Sequence, residues 1–207
     1  MKLHQFLCLG VAIVAPTVLF GNLITNPGFE LGVSTVPADW TVQPAVDDTD
    51  PWARNTTNFH SGAYSIANGC EVVDGVPDCL GSSYFEQNVA TLNGESYTLL
   101  FWADADRDLA GQPLTPNGLA VYWGGGAPVL TLADIGAGGW QQYEVAGLVA
   151  TSNQMGLRFG GRDDPARIYV DDIQVIADAL PEPGALILLG SGLLALAGIR
   201  RLRHAAS

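Results

Sequence analysis

From residue 22 to residue 180 the chain never sustains an apolar repeat of helical period. Its apolar residues come instead in short runs, rich in β-branched and aromatic types, broken by Gly, Pro, Asn and Asp. That pattern leaves two architectures, a sandwich of two sheets or a barrel. The runs predict strands over Ala63–Ile66, Tyr84–Val89, Ser96–Ala103, Leu119–Trp123, Gln141–Val145, Met155–Phe159 and Ile168–Val175. Asn93-Gly94 is a strong turn signal just ahead of one of them. The expectation is an all-β fold, in a segment the size of one domain.

The charge of that segment narrows its partners. Arg54, Arg107, Arg158, Arg162 and Arg167 are its fixed cations, against twenty carboxylates, a formal charge of −15. Phosphate backbones need a cationic surface, so nucleic acid is excluded as a partner. An acidic surface suits a soluble exported protein, and it suits divalent cations.

The two ends read differently. Met1 to Gly21 holds Lys2 and then an apolar run from Phe6 to Phe20, interrupted by Pro16. A basic start, an apolar middle and a small residue before a polar stretch describe a secretory signal peptide cleaved after Gly21. Export places Cys70 and Cys79 in an oxidising compartment, where an even pair is most simply a disulfide. Asp74-Gly75 and Pro77 lie between them, so the pair is expected to staple a hairpin or loop. Cys8 leaves with the signal.

At the other end, Pro181-Glu182-Pro183 precedes an uncharged apolar run of 16 residues, Gly184–Ile199, followed by Arg200, Arg201 and Arg203. As a helix the run spans roughly 24 Å, against roughly 30 Å for a hydrocarbon core, which makes it a short membrane span. The arginines mark its cytoplasmic side. The prolines keep the segment before it extended. Tripeptide, short span and arginines together resemble the PEP-CTERM sorting signal of Gram-negative bacteria. The resemblance implies an exosortase as partner, cleavage near Pro181-Glu182-Pro183, and a transient anchor in the inner membrane. It further implies delivery to the cell surface or the medium, alongside exopolysaccharide. Three regions follow: a signal peptide over 1–21, a domain over 22–178, and a sorting signal over 179–204 with its transmembrane helix at 184–199.

Within the domain, Asn22-Leu-Ile-Thr-Asn-Pro-Gly-Phe-Glu30 is followed in order by Trp40, Ser61-Gly-Ala-Tyr-Ser-Ile66 and Gln87. Leu92-Asn-Gly-Glu-Ser-Tyr-Thr-Leu-Leu-Phe101, Trp140-Gln-Gln-Tyr143 and Tyr169-Val-Asp-Asp-Ile173 complete the series. This order resembles the galactose-binding-like jelly rolls, which include the family 4 and family 22 carbohydrate-binding modules. The resemblance implies a jelly-roll β-sandwich. It also implies a structural Ca²⁺ joining the first strand to the last, with Glu30 and Asp171 as the matching residues and Asp172 next in line. Carboxylate and carbonyl oxygens suit such a hard cation.

Alternation along the strands points to a binding surface. Tyr97, Leu99 and Phe101 share one face, and Thr98, Leu100 and Trp102 the other. Leu119, Val121 and Trp123 share a face, and Ala120 and Tyr122 the opposite one. With the Leu/Val-rich faces in the core, Trp102 and Tyr122 project onto the outer sheet surface, where flat rings stack on sugars. Loop cover is the alternative for both. Trp40 and Trp52 fall in loops as further candidates, while Trp140 and Tyr143, at the start of a strand, are assigned to structure.

Catalysis finds little support. His60 is the one histidine between the two end signals and reads as a loop residue. No Gly-x-Ser-x-Gly or HExxH motif occurs. Asp104-Ala-Asp-Arg-Asp108 opens like an EF-hand loop, but Leu109 stands where Gly is required and Thr115 where the closing Glu is required. The expectation is an exported, non-enzymatic surface or extracellular-matrix protein sorted by its C-terminal signal. The alternative is a carbohydrate-binding module for exopolysaccharide, acting through Trp102 and Tyr122. A glycosidase-like enzyme stands third.

Overall fold

The computed structural model of the protein describes residues 21–43, 51–69, 72–73, 76–77, 83–163, 166–178 and 190–192. The Cys70–Cys79 pair, the signal peptide, Pro181-Glu182-Pro183, and Arg200, Arg201 and Arg203 lie outside the described residues. So does most of the expected transmembrane helix, of which Gly190–Gly192 is described and helical. Among the described residues no helix is long and apolar enough to cross a membrane. The sandwich lies within one compact unit, Phe20–Asp178.

Two short hairpins come early in the chain: β1 (Gly32–Val33) with β2 (Val36–Pro37), and β6 (Val72–Val73) with β7 (Val76–Pro77). The second forms between the positions of the two cysteines, where the sequence placed a hairpin or loop. The other strands are β3 (Thr41–Gln43), β4 (Ala53–Asn55), β5 (Ser65–Gly69), β8 (Tyr84–Ala90), β9 (Ser96–Ala105), β10 (Asn117–Trp123) and β11 (Leu130–Ala133). They continue with β12 (Gln141–Val149), β13 (Gln154–Asp163) and β14 (Arg167–Ala177). Sheet I runs β11-β10-β13-β8-β3 and sheet II runs β12-β9-β14-β5-β4. Every pairing is antiparallel.

The result is a jelly-roll β-sandwich, as expected. Each predicted strand is present, and several run further than their apolar cores suggested. The first sits two residues late, at Ser65–Gly69. The edge strands β3, β4 and β11 were not anticipated. They are only three or four residues long and carry little periodic signal.

Alternation builds the core. In β8, Phe85, Gln87 and Val89 are buried while Tyr84 and Glu86 are half-buried and Asn88 is exposed. Phe85 is the hub. Its ring stacks on Phe159 at 5.0 Å and 3°, and meets Trp52 at 4.8 Å, Trp40 at 5.3 Å and Phe29 at 5.8 Å. Phe101 crosses over Phe159 from sheet II at 5.1 Å. Each such fully buried ring contributes about 2 kcal/mol of apolar transfer. Trp40 and Trp52, loop candidates for a ligand in the sequence, are core residues at 6% and 2% exposure. Tyr143 stacks on Phe101 as the structural residue it was expected to be.

The N-terminal motif is a set of clamps. Asn22 bridges the backbone of β14, donating to the Ile173 carbonyl and accepting from the Val175 amide. Asn26 holds the loop over residues 31–38 through Leu31 and Ala38. Buried Gln87 accepts from the Thr25 amide and donates to the carbonyls of Thr25 and Asp39. Buried Arg54 donates to the carbonyls of Phe29, Ser34 and Glu30, and its guanidinium carbon lies 3.7 Å from the centre of the Tyr64 ring. Asn22, Asn26 and Gln87, residues that carry the jelly-roll resemblance, therefore serve the fold.

Candidate functional site

Two outer faces result from this sandwich, and they differ in kind. On sheet I the outward positions run across neighbouring strands: Thr131 on β11, Ala120 and Tyr122 on β10, Gly156, Arg158 and Gly160 on β13, and Tyr84 and Glu86 on β8. Tyr122 sits directly opposite Arg158, and Arg158 directly opposite Glu86. The Arg158 guanidinium carbon lies 4.4 Å from the Tyr122 ring centre and 4.9 Å from that of Tyr84. Two aromatic rings and a cation thus share one open sheet face, with Glu86 at its side.

The glycines on that face have no packing reason to be glycine. A Cβ at Gly156 would meet nothing closer than Asn88 Oδ1 at 3.9 Å, and one at Gly160 would have its nearest contact at 3.7 Å. These are ordinary contacts, so the fold tolerates a side chain there. Glycine inside a strand weakens it and often marks a place where a ligand comes close. Gly156, Gly160 and Ala120 leave the ground around Tyr122 and Arg158 low.

Trp102 is on the opposite side of the molecule. Its strand, β9, belongs to sheet II, while the strand of Tyr122, β10, belongs to sheet I. Both side chains point outward, as alternation predicts, but they share no surface. The His60 ring covers Trp102, with centroids 3.8 Å apart and planes 14° apart. The loop that carries His60 is pinned from several directions. Asn58 donates to Asp104 Oδ2 and accepts from the Trp140 indole, while its carbonyl accepts from Ser65 Oγ. Asp104, 1% exposed, takes two hydrogen bonds from Arg107 Nη2 at 2.6 and 2.7 Å. Asp106 accepts from Tyr169 Oη at 2.8 Å. Burial, with Asp106 beside it, pushes the Tyr169 hydroxyl well above the usual tyrosine range. Of the acids that resembled half an EF-hand, Asp104 and Asp106 are thus tied into the sheet by Arg107 and Tyr169, and Asp108 accepts from the amides of Ala110 and Gln112 in its own turn.

The three residues matched to a calcium site gather round the same loop. A register shift in β14 between Asp171 and Gln174, with Asp172 at φ 50°, turns both aspartates toward residues 60–64. Bulges of this kind re-aim side chains next to sites. Asp171 Oδ2 accepts from the amides of His60 and Ser61 at 2.9 and 3.1 Å. Asp172 takes His60 Nδ1 at 2.6 Å on one oxygen and Ser61 Oγ at 2.8 Å on the other. Glu30 Oε1 accepts from the amides of Ala63 and Tyr64. Gly62, at φ 65°, sits so near that a Cβ would fall 2.1 Å from Glu30 Oε1.

Asp171 is fully buried, and burial, with the neighbouring Asp172 charge adding to it, pushes its carboxyl up to about 7. Among the described residues no Lys or Arg forms an ion pair with Glu30, Asp171 or Asp172. A buried acid without a fixed cation leaves a charge that a hard cation would offset, although the carboxylate oxygens here already accept from the amides of residues 60–64 and the Ser61 hydroxyl. Among the described residues no three side-chain ligands gather at one point. A bound ion would therefore need oxygens beyond those of Glu30, Asp171 and Asp172.

Tyr84, Glu86 and Arg158 were missed in the sequence. Glu86 and Arg158 each lie between core residues of their own strands and Tyr84 opens β8, so alternation is the signal that marks them as outward. What parity lacks is the neighbourhood: β10, β13 and β8 are adjacent in space and far apart in the chain.

No family model matches the chain, and no curated protein matches it. Solved structures do share its fold. TmCBM61, determined in complex with β-1,4-galactotriose, has a TM-score of 0.55 at 17% identity, over 76% of this chain and 99% of that one. The K1 cleaved adhesin domain of Lys-gingipain from Porphyromonas gingivalis W83 gives 0.54 at 17% identity, over 73% and 96%. The C-terminal family 22 carbohydrate-binding module of Clostridium thermocellum Xyn10B gives 0.50 at 12% identity, over 78% and 97%. At these identities the likeness is one of fold, and it places the chain's sandwich among those on which carbohydrate-binding modules are built.

Proposed function

We propose that the protein binds carbohydrate on the outer face of sheet I and has no catalytic role. Tyr122 and Tyr84 supply the stacking surfaces, and Arg158 and Glu86 the polar contacts. The observation that carries this reading is the Tyr122–Arg158–Tyr84 row over outward glycines. It replaces the expected partnership of Tyr122 with Trp102, which lies on the other sheet and is stacked against His60. The test is a glycan array followed by titration of the best polysaccharide. Tyr122→Ala should abolish binding and Trp102→Ala should leave it; the reverse pattern would move the site to sheet II.

The ends of the chain belong to the same proposal. The signal peptide sends the domain across the inner membrane, and the PEP-CTERM-like tail anchors it there until an exosortase cuts near Pro181-Glu182-Pro183. The product is a surface or matrix protein set among exopolysaccharide. Support for this is the order of Pro181-Glu182-Pro183, apolar run and arginine cluster. Intact mass of the protein from cells with and without the processing enzyme tests it. Calcium between Glu30 and Asp171, with Asp172 close by, completes the proposal as a structural ion tying the first strand region to the last.

A further inference from the structure

We infer that the polysaccharide taken by sheet I is acidic, a uronate chain with a ring carboxylate held by Arg158 between Tyr84 and Tyr122. This rests on the carbohydrate-binding reading above and adds the charge of the ligand.

The first observation is a cation left without an anion. Arg158 stands in the middle of β13 with Glu86 directly across on β8. Opposite charges in that register ordinarily pair. Here they do not: the ion pairs among the described residues are His60–Asp172 and Arg107–Asp104. The guanidinium lies instead over Tyr122 and Tyr84. Ring contact stabilises the charge in part but supplies no oxygen acceptor. Among the described residues none accepts a hydrogen bond from Arg158. Its N–H groups form a planar fork that matches a carboxylate with two parallel hydrogen bonds. Vicinal sugar hydroxyls can also accept from such a fork, but as neutral acceptors they form weaker bonds than an ionised carboxylate does.

The second observation is where the acids are. The outward positions of sheet II hold the carboxylates Asp104, Glu144 and Asp171, of which Asp104 and Asp171 are buried, with Asp172 beside them at the bulge. Among the outward positions of sheet I whose side chains are described, Glu86 is the only carboxylate. The domain's net negative charge opposes a polyanion at long range, and Arg158 is the point on this face where a single ring carboxylate would meet a cation in contact. Glu86 repels that carboxylate from its own side and accepts ring hydroxyls there. It thereby sets which way round the sugar lies.

Matched ligands decide the point. Short oligomers of galacturonate, glucuronate, mannuronate and guluronate are each titrated into the full-length protein. Each is compared with its carboxyl-reduced counterpart of equal length, which keeps the linkage and loses the charge. The expected result is at least a ten-fold preference for one of the acids over its reduced form. Arg158→Gln should bring that pair within two-fold while weaker binding to the neutral oligomer persists. Arg158→Lys, which keeps the charge without the fork, should restore the preference only in part. The inference is overturned if every reduced oligomer binds as well as its acid, or if an acid preference survives Arg158→Gln. Neutral binding that depends on Tyr122 without any acid preference would sink the uronate alone. No Tyr122-dependent binding to any oligomer or array glycan would sink the carbohydrate reading with it.

Discussion

The imidazole of His60 lies flat on the indole of Trp102, 3.8 Å from centroid to centroid, while its Nδ1 contacts Asp172 at 2.6 Å. One histidine therefore closes the face of an aromatic that alternation leaves exposed, and ties that closure to the last strand. The relationship turns the most conspicuous sugar-platform candidate of the sequence into a support for a loop.

His60→Ala removes both contacts. A stacked aromatic pair contributes about 0.5–1.5 kcal/mol beyond buried area. The expected loss is about 1 kcal/mol in urea unfolding, with Trp102 fluorescence altered by the exposed ring. Trp102→Ala should cost more, about 2 kcal/mol, because half-buried apolar surface goes with it. Neither change should weaken glycan binding. A folded Trp102→Ala protein that has lost its ligand would contradict the assignment to sheet I.

Gly156 offers the opposite signature. Its outward Cβ position has room, and a β-branched residue favours a central strand. Gly156→Thr should raise stability by about 0.5–1 kcal/mol. A polysaccharide lying across β13 would meet the new side chain, so affinity should fall at least five-fold. A stabilised protein with unchanged affinity would show that the chain of sugars does not cross this point.

The sandwich was legible because its strands announce themselves twice over, by alternation and by the turns between them. Leu99 and Phe101, or Leu119 and Val121, could be assigned inward without any structure. The same parity placed Trp102 and Tyr122 outward correctly. It could not say that consecutive strands β9 and β10 belong to opposite sheets, and so it joined two residues that face away from each other. Nor could it foresee that loop 56–62 folds back over Trp102, since Asn58 reaches Asp104 and Trp140 at separations of 46 and 82 residues. Trp40 and Trp52 were misread for a related reason. Irregular segments gave no periodicity to mark them as core, yet both rings meet Phe85.

Arg54 yields a prediction about the fold alone. It is 9% exposed and donates to the carbonyls of Phe29, Glu30 and Ser34. Arg54→Met keeps an apolar stem but removes the guanidinium, both its hydrogen-bonding fork and its place over the Tyr64 ring. Buried acceptors that lose their donors cost about 1–3 kcal/mol each, and relaxation of the loop toward water recovers part of this. The expected loss is about 3 kcal/mol by chemical denaturation, with Arg54→Lys recovering little because an ammonium cannot reach three separated carbonyls. A loss below about 1 kcal/mol would mean that the 29–34 loop is held by Asn26 without help.

Metal dependence tests the junction of first and last strands. Asp171 is a fully buried acid beside a second one, and no arginine or lysine pairs with either among the described residues. A calcium ion bound only by the folded chain adds RT ln(1 + [L]/Kd), about 2.7 kcal/mol at a hundred-fold excess over Kd. Calcium should therefore raise Tm in a concentration-dependent way and EDTA should reverse it. Magnesium should do less, since it demands a tighter octahedral shell and gives up water reluctantly. Asp171→Asn should abolish the response to calcium, whereas Asp108→Asn, in the loop that lacks the closing residues of an EF-hand, should leave it intact. A Tm indifferent to calcium and chelator alike would mean that the amides of His60, Ser61, Ala63 and Tyr64 close the junction without a cation.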